Sequence, residues 1–324
     1  MRTRLTIAAA AAAAGLSLIA ACSSTASPGA SMPDTAMSGH GSSSSSMSGM
    51  SMPNQSATGD MPGMSMPSGE GLSATVNGYT LSTMHATPMS GMNMPVTFTI
   101  TKDGKPVTKF DAEQTKLMHF YVIRSDLSGF QHLHPTMASD GTWTVTPAEV
   151  SAGTCRVYAQ FVPHADAKAG ALVLSRPFTV TGTPAPTSRA PAPLGRGAVD
   201  GYNVTVTGRP KAGTETPLTI TISKAGASVT DLQPYLKTYA HVTAIHAVDL
   251  AFAHLHPQGS LSGAHGGPTL TVNADLPAAG TYRMFVQFQT GGVLHTAALT
   301  ISASSPHQVP GSLTAAGDLR LTRT

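Results

Sequence analysis

Cysteine is nearly absent from this sequence, with two among 324 residues, Cys22 and Cys155. Cys22 ends the N-terminal apolar run, so Cys155 stands alone in the rest of the chain, and neither a disulfide framework nor a cysteine zinc site can be assembled. A lone cysteine is read as a small buried hydrophobe. Charge is also scarce. Lys, Arg, Asp and Glu make up 11% of the chain, the 19 basic residues are scattered among 16 acidic ones, and the net charge is +3. That distribution excludes a nucleic-acid footprint. No stretch carries a convincing 3.6-residue apolar period, so helices are not expected. No local motif places a Ser-His-Asp or Cys-His arrangement, which argues against hydrolysis.

The N-terminus shows two arginines, a short Ala-rich run and small residues ending at Cys22. It reads as a secretory leader, too short and too rich in alanine for a membrane span. Ile19-Ala20-Ala21-Cys22 resembles the bacterial lipobox, which implies cleavage after residue 21 and a lipid on Cys22. The other reading is an ordinary leader cut near residue 27. Either way the mature chain is expected outside the cytoplasm, and in the first case anchored to the membrane by the lipid.

Residues 22–71 are Ser, Gly, Met and Pro with almost no branched or aromatic side chains, and are expected to remain disordered as a tether. A Pro-rich stretch, 182–197, has the composition of an extended linker. The segments on its two sides match each other. "HFYVIRSDLSGFQHLHP" at 119–135 aligns with "HVTAIHAVDLAFAHLHP" at 241–257, and "SAGTCRVYAQF" at 151–161 with "AAGTYRMFVQF" at 278–288, so that Cys155 corresponds to Tyr282. One domain is written twice, at 72–181 and 198–302, followed by a tail at 303–324. Short alternating runs such as "VTFTIT", "HFYVIR", "TWTVT", "CRVYAQFV" and "FTVTG" are broken by Gly, Pro and Asp. The fold class expected is all-β, two tandem immunoglobulin-like sandwiches, with a small six-stranded barrel as the competitor.

The histidines repeat with the domain. A hairpin centred between Asp126 and Leu127 sets His119 opposite His134, with His132 on the same face; the second copy does the same with His241, His256 and His254. Imidazole suits copper, zinc or nickel, and three of them with an open position make a divalent site, here expected to take copper(II) or zinc. The opposing reading is a surface hairpin whose rings bond to carbonyls. A tight turn at "QTGG" brings His295 back beside Gln287, whereas the first copy has Leu174 there and His164 in a longer loop. His85, His246, His265 and His307 are read as solvated or packed.

Of 16 methionines, 12 lie between residues 32 and 94, where little core can form. Met-x-x-Met-x-Met occurs three times: Met47, Met50 and Met52; Met61, Met64 and Met66; and Met89, Met92 and Met94. Thioether sulfur selects copper(I), and three on a flexible backbone can wrap one ion. The third triplet falls inside the first domain, where the second copy has Lys211, Thr214 and Thr216 and no sulfur.

The second domain, with His241, His254, His256, Gln287 and His295, is similar to the YtkA-like group of secreted and membrane-anchored bacterial proteins; the first resembles it more loosely. The Met-rich tail resembles those of extracytoplasmic copper-resistance proteins of the CopC type. These resemblances imply a metal-linked role: copper(I) on the Met clusters, copper(II) or zinc on the histidines, and a transporter or acceptor protein as partner. A structural or adhesive surface module is the alternative. His-x-His also resembles a strand of copper-zinc superoxide dismutases, but the match ends there, without a bridging His, a zinc-binding Asp cluster or paired Cys.

Overall fold

The computed structural model describes residues 70–85, 89–93, 95–183, 186, 192 and 194–306. The leader, Cys22, the tether to residue 69 with its two Met triplets, Met94, most of the linker and the chain from His307 onward lie outside the described residues.

Each copy builds seven principal strands. In the first they are β1 (Tyr79–Leu81), β2 (Val96–Lys102), β3 (His119–Arg124), β4 (Gln131–Leu133), β5 (Thr142–Val145), β6 (Gly153–Pro163) and β7 (Leu172–Val180). In the second they are β8 (Tyr202–Thr207), β9 (Thr216–Lys224), β10 (His241–His246), β11 (Phe252–Pro257), β12 (Thr269–Ala274), β13 (Gly280–Thr290) and β14 (Val293–Ala303). The one helical turn among the described residues is His164–Ala169, in the β6–β7 connection. All pairings of these strands are antiparallel, β1-β2-β5 facing β7-β6-β3-β4 in the first copy. This is the expected immunoglobulin-like sandwich. The second copy differs in one respect. The start of β11 pairs with β10 and its end with β12, so its two sheets run into one another. In the first copy Pro135 divides the same stretch, and Thr136–Met137 pairs with β5 separately from β4.

Burial follows the pleat. β2 alternates, with Val96, Phe98 and Ile100 turned inward to stack with Phe120 and Trp143. Cys155 is buried in this core, where desolvation pushes its thiol up to about 11; it is a packed hydrophobe, as its lone state in the sequence suggests. β3 and β10 do not alternate. Every residue in both is buried, because one face of each strand lines its own core and the other is covered by the other copy.

That cover is an apolar seam between the sandwiches. Tyr121, Ile123, Tyr158 and Val173 of the first meet Ile245, Phe252 and Phe285 of the second, and Phe130 stacks on Phe285 with 3.9 Å between ring centres. Tyr158 donates its hydroxyl to the Leu250 carbonyl at 2.6 Å. The odd-numbered positions of β3 and β10 therefore face the seam, and His119 and His241 are odd-numbered members of those strands.

Candidate metal centre

The β3–β4 hairpin has the register expected from its turn: Tyr121 pairs with His132 and Phe120 with Leu133. His119, Tyr121, His132 and His134 share the face that looks across the seam. His119 Nδ1 lies 3.0 Å from His132 Nε2, and the His134 ring centre is 5.2 Å from that of His119 and 4.7 Å from that of His132. One ring nitrogen from each of the three falls within 4.8 Å of the others.

The remaining contacts set the tautomers. His119 donates from Nε2 to the Glu113 carbonyl at 3.1 Å, which leaves its Nδ1 lone pair toward the cluster. His132 Nδ1 lies 2.7 Å from Gln287 Oε1, whose amide nitrogen is given to Thr296 Oγ1. His132 therefore donates at Nδ1 and turns its Nε2 lone pair toward His119. In these tautomers the two lone pairs face each other at 3.0 Å, an approach that a proton or a metal cation between them stabilises. His134 Nε2 is buried with no hydrogen-bond partner. Burial lowers both outer rings from an ordinary 6.5 to about 4, with the nearby Lys116 charge a smaller contributor, so His119 and His134 are neutral at pH 7.

The donor set fits a divalent ion. Two nitrogens each ~2.0 to 2.1 Å from a tetrahedral metal stand about 3.3 Å apart, close to the separation already present. Three neutral imidazoles suit copper(II) or zinc.

Around the triad runs a buried polar network. Gln160, which pairs with His119 across the sheet, donates to the Glu113 carboxyl at 2.9 Å, and desolvation pushes that acid up from 4.5 to about 7. Tyr121 Oη lies 3.2 Å from His241 Nε2, and burial pushes its phenol well above the usual range. His241 is paired with Gln287 just as His119 is with Gln160. Its ring stacks on His132 at 4.6 Å and on His119 at 5.8 Å.

Two corrections to the sequence expectations follow. The first is that the His241 ring is not confined to its own copy: it packs on His119 and His132 of the first copy's triad across the seam. His256 is half-buried, and burial lowers its pKa; the His254 side chain lies outside the described residues. The second concerns His295. The β13–β14 turn is the pair Gly291-Gly292, both at positive φ, so Thr290 pairs with Val293 and His295 falls opposite Phe288, not Gln287. One residue of register changes the face. His295 is in the second core beside Tyr202 and Phe288, bonded to Asp200 at 2.7 Å and Thr290 at 3.1 Å. Its counterpart in the first copy is Leu172, which pairs with Phe161, and not Leu174.

Met89 and Met92 are half exposed, on a loop whose Ser90 N–H bonds to Thr181. That loop is at the far end of the sheet. Thr181 follows Val180, which pairs with Gly153, while His119 pairs with Gln160, seven residues along β6; at ~3.4 Å per residue the two ends are about 24 Å apart. His164 bonds to Asp111 at 2.7 Å, His246 is buried against Tyr282 with Asp249 as its partner, and His85 and His265 are exposed.

Glu113 and Tyr121 have no sequence signal of their own. Gln160 and Gln287 do: each is a polar residue retained in both copies at the centre of an apolar strand, "AQF" and "VQF".

Fold and site together define a tandem β-sandwich protein with an imidazole cluster at the seam between its repeats. The chain belongs to the family described as Domain of unknown function (DUF8832), matched twice, at residues 74–181 and 197–305. A search of curated proteins found no match. Among solved structures, the surface layer protein SbsC (domains 1-6) aligns over 74% of this chain and 29% of its own at 14% identity, TM-score 0.21. InvD of Yersinia pseudotuberculosis aligns over 71% and 58% at 13% identity, TM-score 0.22. A putative membrane anchored protein from Corynebacterium diphtheriae aligns over 71% and 60% at 9% identity, TM-score 0.21. The chain spans less than two thirds of each, and likeness at such scores carries no inference about function.

Proposed function

We propose that this chain is an extracytoplasmic copper-binding protein, anchored through a lipid on Cys22, that buffers the metal or hands it to a transporter or acceptor protein. The observation that carries the reading is the His119, His132 and His134 cluster, whose converging lone pairs leave a cation-sized demand unmet by any protein donor in the case of His134 Nε2. Copper(II), or zinc in its place, binds there. The Met triplets, with soft sulfur and no fold requirement for it in the second copy, take copper(I).

The roughly 24 Å of strand between the Met89–Met92 loop and the histidines, far longer than a metal–ligand bond of ~2 Å, bears on the route. Metal does not pass from that loop to the triad of the same sandwich in one step. The loop serves as an independent capture point, and exchange with the triad proceeds through the tether or a second molecule.

The test is titration of the chain lacking its first 22 residues with copper(I), copper(II) and zinc. Copper(II) is expected to bind with a Kd below about one micromolar and to lose that affinity in His119→Ala and His134→Ala. Weaker binding, or binding indifferent to both substitutions, overturns the reading.

A further inference from the structure

We infer that the triad is a clasp: metal occupancy of the first sandwich is coupled to docking of the second against it. This rests on the metal-binding reading above and adds a regulation to it.

The coupling lies in who sets His132. Its Nδ1 is held at 2.7 Å by Gln287 Oε1, a residue of β13 in the other repeat. Only with that bond does His132 present Nε2 toward His119 Nδ1, 3.0 Å away. Two further contacts come from the same side. The His241 ring covers His132 at 4.6 Å, and its Nε2 meets Tyr121 Oη at 3.2 Å. Undocked, His132 loses the acceptor that fixes its tautomer, and the cluster opens to water on the face His241 now covers. Docked, the ligands are pre-organised.

Binding that is tighter in one of two states favours that state, and the effect is reciprocal. The metal therefore holds the seam closed, and the seam holds the metal. Gln287 acts through His132 and is a positioning residue. Outer partners of ligating histidines typically change metal affinity by ~10- to 100-fold when removed. The duplication thereby acquires a use: His119 with Gln160 and His241 with Gln287 are the same strand pair in each copy, and the second copy's pair serves the first copy's site.

The experiment combines two readouts on the chain lacking its first 22 residues. Copper(II) and zinc affinities are measured for the wild type, Gln287→Leu and Gln287→Glu, and amide hydrogen exchange of the wild type is followed across Phe252–Pro257 with and without zinc. Gln287→Leu is expected to weaken both metals ~10- to 100-fold, while Gln287→Glu, which still accepts from His132 Nδ1, stays near wild type or above. Zinc is expected to slow exchange in β11, which carries no ligand of the triad. Metal binding with Gln287→Leu unchanged within about twofold, or with β11 exchange indifferent to zinc, overturns the clasp and leaves the site standing. No binding by the wild type overturns both. The exchange measurement needs no variant, so a substitution that misfolds does not shield the proposal.

Discussion

Replacing Glu113 by Gln separates two opposing pH effects buried in one network. Glu113 is raised from 4.5 to about 7 by burial, so between those values the folded protein keeps a proton that the unfolded chain has released. Its contribution to stability therefore grows as pH falls through that window and is complete below 4.5. At ~1.4 kcal/mol per unit the whole change is about 3 kcal/mol. His119 runs the other way. Lowered from 6.5 to about 4, it is uncharged in the fold while the unfolded chain takes up a proton, so stability is lost as pH falls from 6.5 to 4, again by about 3 kcal/mol. In the wild type the two nearly cancel across their shared range. Glu113→Gln keeps the bond from Gln160 and removes the titration, leaving the His119 loss exposed together with that of His134, which runs the same way. The assay is urea unfolding of chelator-treated protein followed by Trp143, the single tryptophan, which reports the first sandwich alone. The stability difference between wild type and variant is expected to move by about 3 kcal/mol toward the wild type between pH 7.5 and 4.5. A difference constant within about 1 kcal/mol, or moving toward the variant, refutes the burial argument for Glu113.

Further outcomes follow from the same geometry. Two ordinary imidazoles would cost a metal site about 100-fold in affinity between pH 7.5 and 5.5; with His119 and His134 both near 4, copper(II) titrations should show a much smaller fall over that range, and a 100-fold loss would count against the desolvation of these two rings. His295→Ala should lower stability, measured by thermal unfolding, by ~1 to 3 kcal/mol through the lost Asp200 and Thr290 bonds, without changing metal affinity. Changing Met89, Met92 and Met94 to Leu should reduce copper(I) stoichiometry, leave copper(II) binding intact and leave the melting temperature unmoved, because Met89 and Met92 are 50% and 51% exposed. Phe285→Ala removes the ring stacked on Phe130 and should cost ~3 to 5 kcal/mol, with calorimetry resolving one cooperative transition into two.

The sequence by itself determined the duplicated all-β fold and the register of the histidine hairpin. Both depend on short-range pattern: alternation sets which residues share a face, and the turn between Asp126 and Leu127 sets which residues oppose. His119, His132 and His134 could be brought together on those grounds alone. Parity also decided His295, but there the outcome depended on whether the Gly291-Gly292 turn held two residues or three, a one-residue difference that composition does not resolve. Only the tertiary structure decided the rest. β3 and β10 lack alternation because both faces are buried, and nothing local says that the second cover is the other copy. Once the repeats dock, the His241 ring and the Gln287 carboxamide reach the first copy's triad, and Tyr121 enters the network through a contact 120 positions away in the chain. Strand pairing is written in neighbouring residues. The seam is an encounter between surfaces, formed by side chains far apart in the chain, such as Tyr158 with Phe252 and His132 with Gln287, and it is there that the site is completed.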